Sequence, residues 1–308
     1  MMDGFHILLF PGVLFTVALA LVVAWVDRKV TARVQWRVGP PLWQPALDLA
    51  KLMGKEATLP LGAPRWLFLG APLAALASAL LFSYMLWSAN LDRAQDGLGD
   101  LIVILYLGMI PSISVMLGGL AAGSPQSVLG ASREIKLFLA DELVFILALM
   151  VAVIKAGGAL KLAQLLNYQQ NYGLVAASPS GVIALILAVL AMQAKLTLVP
   201  FDMAEAETEI MGGTLTTYAG PPLAFFKLSQ WIMRAVLPLL LVHCFLGGIA
   251  FEGWRALAGL GKLVALWVVI ILIRNTSPRV RIDQAFRFFV LYGGLLGVVA
   301  VVLAMLGY

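Results

Sequence analysis

The chain has 308 residues, of which 62% are hydrophobic and 12% are charged, and its net charge is +5. A soluble domain carries about 25% charged residues, and a mean hydropathy of +0.96 leaves too few polar groups to cover a water-exposed surface. This composition excludes a soluble protein. In a membrane protein, the positive net charge reflects an excess of Lys and Arg in the loops on one side of the membrane and does not indicate nucleic-acid binding. We predict a single polytopic membrane domain over residues 1–308.

Apolar runs of about 20 residues predict about eight transmembrane helices, because a helix of that length crosses the hydrocarbon core. The sixth run is long enough to be tilted or kinked at Pro238. Residues 43–54 mix apolar and charged side chains and are too short to span. The predicted fold class is therefore an all-α integral membrane protein with about eight transmembrane helices and a short cytoplasmic surface helix. The predicted spans are residues 5–26, 66–89, 101–122, 135–154, 181–201, 221–251, 256–273 and 288–308.

Lys and Arg are unevenly distributed between the two sets of connecting loops. The loops at 27–65, 123–134, 202–220 and 274–287 hold twelve, whereas the loops on the other side hold four. Because cytoplasmic loops carry an excess of Lys and Arg, the first set is predicted to be cytoplasmic, with both termini outside the cell membrane.

Several ionisable residues lie within predicted spans, among them Asp141, Glu142, Lys195, Lys227 and Arg234. Each costs at least ~2.5–3.5 kcal/mol at a helix centre, so such residues face the bundle interior, pair with one another or line a hydrated path. Salt bridges between helices and an ion path are both open for the two cations of the sixth span. Lys195 lies near a helix end, where snorkelling to the surface is the simpler interpretation. Adjacent carboxylates on one helix favour proton exchange and hence a functional role.

The loop at 200–209 carries four acids and no base, against the cytoplasmic excess of Lys and Arg. A solvated face, a proton-collecting surface and a docking surface are all compatible with this pattern. The four acids are Asp202, Glu205, Glu207 and Glu209.

The chain has one Cys and two His. Because an iron–sulfur cluster usually takes four cysteine ligands, we expect no cofactor and no metal in this chain.

Three segments together resemble a known family. Residues 33–56 (RVQWRVGPPLWQPALDLAKLMGKE), 129–143 (LGASREIKLFLADEL) and 200–220 (PFDMAEAETEIMGGTLTTYAG) are similar to the membrane subunit beneath the hydrophilic arm of respiratory complex I. This is the complex I subunit 1 and formate hydrogenlyase membrane subunit family. Residues 121–125 (AAGSP) before the second segment resemble its branch in membrane-bound nickel–iron hydrogenases and related complexes.

The resemblance implies a non-catalytic subunit that anchors a redox arm and couples it to H⁺ or Na⁺ movement in a prokaryotic cell membrane. Its partners would be a hydrogenase-like large subunit, iron–sulfur subunits and antiporter-like membrane subunits, with iron–sulfur clusters and nickel–iron only in the partners. The implied ion path comprises Glu142, Asp141, Asp202, Glu205, Glu207, Glu209, Lys227 and Arg234. The implied arm-docking residues are Arg33, Arg37, Asp48, Lys51 and Arg133.

Two alternatives remain open. One is the quinone-site subunit of a complex I-type NADH dehydrogenase, although Thr217, Leu198 and Trp43 depart from residues usual in that family. The other is an independent secondary transporter, which intramembrane charges would suit equally well.

Overall fold

The computed structural model describes residues 8–91, 99–251 and 253–308. Within these ranges the regular secondary structure is helical, apart from one isolated antiparallel β-bridge between Asp100 and Lys161. The helices are α1 Val13–Val34, α2 Gln44–Met53, α3 Arg65–Leu91, α4 Leu101–Ala121, α5 Pro125–Lys155, α6 Leu162–Tyr172, α7 Pro179–Lys195, α8 Glu207–Ile210, α9 Pro221–Phe245, α10 Trp254–Thr276 and α11 Ile282–Met305.

Six of these helices are long and apolar enough to cross a membrane: α3, α4, α5, α9, α10 and α11. The predicted fifth span corresponds to α7, a shorter apolar helix of 17 residues. Residues 13–26 of the predicted first span lie in α1, and residues 5–7 lie outside the described residues. The last eight residues of α1 include Asp27, Arg28, Lys29 and Arg33. The prediction of an all-α integral membrane protein is confirmed, and α2 forms where a short non-spanning helix was predicted.

Two helix ends differ from the predicted spans. α5 begins ten residues before position 135, because the Ser124 side chain accepts a hydrogen bond from the Ser127 amide and Pro125 occupies the first turn. Its 31 residues make it about 46 Å long. α7 ends at Lys195 instead of residue 201, since the chain turns at Thr197, which has a φ of 50°.

The loop at 155–180 contains helix α6, which the sequence analysis did not predict. Leu162, Leu165 and Leu166 on α6 are fully buried. The segment is too polar to span, so only its packing against α3 and α9 reveals its helical form.

α9 is the central helix of the bundle. It packs against α1, α3, α10 and α7, and its last ten residues, 236–245, are all buried. Pro238 lies inside it without ending it. Gly247 and Gly248, with φ values of 80° and 70°, turn the chain after α9, where a residue with a Cβ would be strained.

The loops gather at two opposite ends of the bundle. At one end, here called the loop face (residues 27–65, 123–134, 196–220 and 274–287), the Val280 amide donates to the Pro200 carbonyl at 3.0 Å and Gly220 lies against the backbone of Glu56. At the other end, the Ser180 hydroxyl donates to the Tyr308 carbonyl. The loops that were predicted to share a side therefore lie together.

Candidate functional site

The centre of the candidate site is a buried ion pair between α5 and α7. The Lys195 ammonium donates to a Glu142 carboxylate oxygen, and the two side chains are 2% and 8% exposed. The ammonium also lies 5.1 Å from the centroid of the Phe145 ring, a distance at which a cation is attracted to an aromatic face. Snorkelling was the wrong interpretation of Lys195, because its charge is compensated inside the bundle.

Two further carboxylates on α5 accompany this pair. Asp141 is 1% exposed and interacts electrostatically with Lys195, Glu142 and Glu134. Glu134 is 4% exposed and lies seven residues before Asp141, so both are on one face of the helix. Two carboxylates beside one ammonium, with a third on the same helix face, cannot all be charged cheaply in a medium of low dielectric constant, and the cluster is therefore suited to exchanging protons.

A cleft joins this cluster to the loop face. It is partly open and is lined by Glu134, Lys195, Glu205, Ser229 and Gln230, among other residues. Glu205 belongs to the acidic loop, so the cleft connects the loop to the buried lysine. The cleft therefore brings Glu205 and Glu134 to the same space as the Lys195 side chain.

Three of the four acids of the loop at 200–209 have partners, which the sequence did not predict. Arg279 donates to Asp202 at 2.8 Å, Gln230 donates to Glu205 at 2.9 Å, and Arg133 donates to Glu209 at 2.5 Å. Arginines from other segments therefore neutralise much of the loop's charge. Glu207 is the first residue of α8, and its side chain lies outside the described part of the structure.

Burial changes the acidity of this loop. Burial and the neighbouring Glu205 raise the pKa of Asp202 to about 6, against the opposing effect of Arg279. Burial also raises the pKa of Glu205, although Arg234, Gln230 and Lys227 oppose it. Both groups can therefore bind protons at a higher pH than an exposed carboxylate.

The two cations of the sixth predicted span lie away from the acid pair on α5. Arg234 is 3.7 Å from Asp27 on α1, and Arg274 on α10 donates to both oxygens of Asp27 at 2.9 and 2.7 Å. Lys227 is exposed. The cation next to Asp141 and Glu142 is Lys195, whereas Arg234 and Lys227 act electrostatically on Glu205 of the acidic loop.

The residues expected to bind an arm are distributed over the loop face. Arg33, Arg37 and Lys51 are exposed. Asp48 on α2 accepts hydrogen bonds from Arg28 at 2.6 Å and from Gln44 at 2.9 Å. Arg133 is held by Glu209 and by the Met203 carbonyl, so it fixes the acidic loop.

Sequence reasoning missed Glu134, Asp27 and Arg274. The seven-residue spacing of Glu134 and Asp141 could have indicated the first. Asp27 and Arg274 lie at the charged ends of apolar runs, and nothing in the sequence joins two residues that are 247 positions apart.

The sequence model of a family described as NADH dehydrogenase matches residues 6–305. The chain belongs to this NADH dehydrogenase family. A relative from Thermomicrobium roseum, named as a subunit of NADH-quinone oxidoreductase, is 34% identical to it over 303 residues, covering 88% of this chain and 87% of that protein. A relative from Syntrophobacter fumaroxidans, also named as a subunit of NADH-quinone oxidoreductase, is 31% identical over 306 residues, covering 91% and 89%.

A solved structure also has the same fold as the present chain. It is the structure of the membrane-bound sulfane sulfur reductase, an archaeal respiratory membrane complex, with a TM-score of 0.84 and 24% identity. The match covers 94% of the present chain and 96% of that one, so nearly the whole helix bundle is shared. The NADH dehydrogenase family and the membrane helices together make this chain a complex I-like membrane subunit.

Proposed function

We propose that this chain is the membrane-anchor and ion-translocation subunit of a membrane-bound, complex I-like respiratory hydrogenase. It would link a redox arm, made of a hydrogenase-like large subunit and iron–sulfur subunits, to antiporter-like membrane subunits that move H⁺ or Na⁺. The observation that carries the coupling role is the buried Lys195–Glu142 pair, which the cleft joins to Glu205 at the loop face.

The chemistry of coupling follows from the charge balance in the cleft. Lys195 stabilises a negative charge on Glu142 or on the adjacent Asp141, and each proton that reaches the cluster changes which carboxylate carries that charge. A redox event in an arm on the loop face would change the field at Asp202 and Glu205. Protons would then pass through Glu134 to the buried acids and onward into the membrane arm.

The hydrogenase branch rests on residues 121–125 and the segment that follows, which resemble the hydrogenase members of the family. The departures at Thr217, Leu198 and Trp43 from residues usual in the family argue against carrying over a quinone site or an identical proton route.

A second candidate function is the quinone-site subunit of an NADH-quinone oxidoreductase. Relatives at 31–34% identity carry the name of that enzyme, and a cavity of about 720 Å³ opens between α1, α9 and α10 near the loop face. In this case the arm would deliver electrons to a quinone, and the Lys195–Glu142 cluster would keep its coupling role.

One experiment separates the two candidates. The complex is solubilised from native membranes in mild detergent, its subunits are identified by mass spectrometry, and it is assayed for H₂ evolution and for NADH-dependent quinone reduction. A nickel–iron large subunit with H₂ evolution supports the hydrogenase, whereas NADH-oxidising subunits with quinone reduction support the alternative. A chain that purifies alone and transports ions would contradict both and indicate a secondary transporter.

A further inference from the structure

A large cavity, here called the distal cavity, opens at the end of the bundle opposite the loop face. The ends of α3 and α6, the first turns of α10 and the loop at 247–251 line it. Its volume is about 830 Å³, and ligand pockets commonly have volumes of about 300–1,000 Å³. Neither Lys195 nor Glu142 is among its lining residues, so the distal cavity is separate from the candidate site described above.

One face of α10 supplies the cations of the distal cavity. Arg255 and Lys262 both line it, and their spacing of seven residues places them on the same side of the helix, about two turns apart. Ala258 and Gly259 lie between them on that face and also line the cavity. Because these two residues are small, the space in front of the helix stays open and one ligand can reach both cations.

Within the described part of the chain, neither Arg255 nor Lys262 forms a salt bridge with a carboxylate. Arg255 is exposed. Lys262 is half-buried and donates one hydrogen bond, to the Leu246 carbonyl at the end of α9, at 2.6 Å. An ammonium group has three N–H donors, and the end of a helix carries only a partial negative charge. An anion in the cavity would therefore compensate both cations.

The remaining wall of the distal cavity is partly apolar and lies where a membrane surface is expected. Leu91, Leu174 and Phe251 line the cavity and are exposed. Trp254, the neighbour of Arg255 at the start of the spanning helix α10, is exposed too. Trp side chains are enriched at the level of the lipid headgroups. The cavity therefore suits a ligand that has an anionic group and an apolar part.

We propose that the distal cavity binds the headgroup of an anionic phospholipid, with the phosphate between Arg255 and Lys262 and the glycerol region against Leu91, Leu174 and Phe251. The acyl chains leave the cavity and lie in the bilayer. Guanidinium and ammonium groups bind phosphate through charge-assisted hydrogen bonds. A zwitterionic lipid offers the same phosphate but brings its own positive charge, so it compensates the two cations less well. This lipid site is independent of the proposed coupling function.

The test is a thiol-protection assay on the detergent-purified, delipidated full chain in a Cys244→Ala background. Ala258→Cys places a thiol in the distal cavity, whereas Tyr172→Cys places one at the same end of the bundle but outside the cavity. The rate of maleimide labelling is measured during separate titrations with dioleoyl phosphatidylglycerol and dioleoyl phosphatidylcholine. Inorganic phosphate alone is the third titrant, because it supplies the anion without the apolar part.

Two variants remove the proposed phosphate ligands. Arg255→Gln changes an exposed side chain, so the fold should be kept, and Lys262→Gln changes the half-buried one. Lys155→Gln is the matched control for Lys262→Gln. Lys155 is also half-buried at this end of the bundle and donates to a backbone carbonyl, that of Gly307 at 3.3 Å, but it does not line the cavity.

We expect phosphatidylglycerol to protect position 258 at about tenfold lower concentration than phosphatidylcholine, as one charged hydrogen bond implies, and to leave position 172 unprotected. Arg255→Gln and Lys262→Gln should each remove this preference, whereas Lys155→Gln should retain it. Inorganic phosphate should protect only weakly. Equal protection by the two lipids or an unchanged preference in Arg255→Gln would overturn the proposal. Protection by inorganic phosphate at the same concentration as phosphatidylglycerol would assign the cavity to a free anion and would overturn it as well.

Discussion

Lys195 at the end of α7 is bonded to Glu142 in the middle of α5, 53 positions earlier in the chain, with both side chains nearly inaccessible. Removing either partner of such a pair leaves a charge without compensation, which typically costs about 3–5 kcal/mol, whereas removing both is far less costly. Comparing the stability and the activity of single and double variants therefore separates a structural role of the Lys195–Glu142 pair from a role in ion movement.

The first prediction concerns Glu142→Gln, which keeps the shape of the side chain and removes its charge. We expect it to abolish ion pumping or coupled turnover, because the neutral amide cannot exchange a proton. The complex should remain assembled, since Asp141 is available to the ammonium, and activity with artificial electron donors should be largely intact. Proton or sodium uptake into sealed vesicles measures the effect.

The double variant Glu142→Gln with Lys195→Met is the control for this prediction. It removes both charges, so its thermal stability should be closer to that of the wild type than the stability of Lys195→Met alone. If the pair is only a structural salt bridge, the double variant will recover pumping. Wild-type pumping in the single Glu142→Gln variant would likewise refute the carboxylate relay.

The second prediction concerns pH. Asp202 has a pKa of about 6 in the folded chain, above its ordinary value of 3.8, so the folded state binds this proton more tightly than the unfolded state. Its contribution to stability is therefore fully present below pH 4 and is lost as the pH rises through 6, at no more than about 1.4 kcal/mol per pH unit. Between pH 5 and 7, Asp202→Asn should lose less stability than the wild type, as measured by thermal unfolding in detergent.

Asp48→Asn is the matched control for the pH prediction. Burial raises the pKa of Asp48, but hydrogen bonds from Arg28 and Gln44 outweigh it and hold the value below 3.8. Asp48 is thus ionised throughout the range from pH 5 to 7, and its replacement should leave the pH slope unchanged. Equal slopes in wild type and Asp202→Asn would contradict the assignment to Asp202.

The sequence predicted the membrane class, most spans and the unusual position of Asp141 and Glu142, because a charge in an apolar run is visible locally. It did not predict their partner, since the contact with Lys195 depends on how α5 and α7 pack. The partner of Arg234 was not predicted either, for the same reason. Helix periodicity places Arg234 on one face with Lys227 and Gln230, but the position of α1 decides that its carboxylate neighbour is Asp27.

The third prediction concerns the Asp27 cluster. The Asp27 side chain is 12% exposed and lies between two guanidinium groups, so Asp27→Asn would leave two positive charges close together. We expect a loss of stability on the order of 3 kcal/mol, seen as a lower thermal midpoint. The double variant with Arg274→Gln should recover part of the loss, and a midpoint equal to that of Asp27→Asn would argue against a direct interaction.

The fourth prediction concerns the arm. Arg33 and Arg37 are exposed on the loop face, which also carries the acidic loop at 200–209, and a redox arm should contact both. Reversing the two charges to Glu should release the soluble subunits from membranes washed at moderate salt. Retention equal to that of the wild type, measured by immunoblotting of the membrane fraction, would show that the arm binds elsewhere.

The fifth prediction concerns orientation, and it follows from the Lys and Arg counts together with the two ends of the bundle. Twelve of these residues belong to the loops of the loop face and four to the other set, so the loop face should be cytoplasmic. The substitutions Lys55→Cys and Tyr172→Cys place exposed thiols at opposite ends of the bundle. Both are made in a Cys244→Ala background, which removes the native thiol. A membrane-impermeant maleimide should label position 172 in intact cells and position 55 only after permeabilisation. The reverse pattern would place the acidic loop and the cleft outside the cell, where a cytoplasmic redox arm could not reach them.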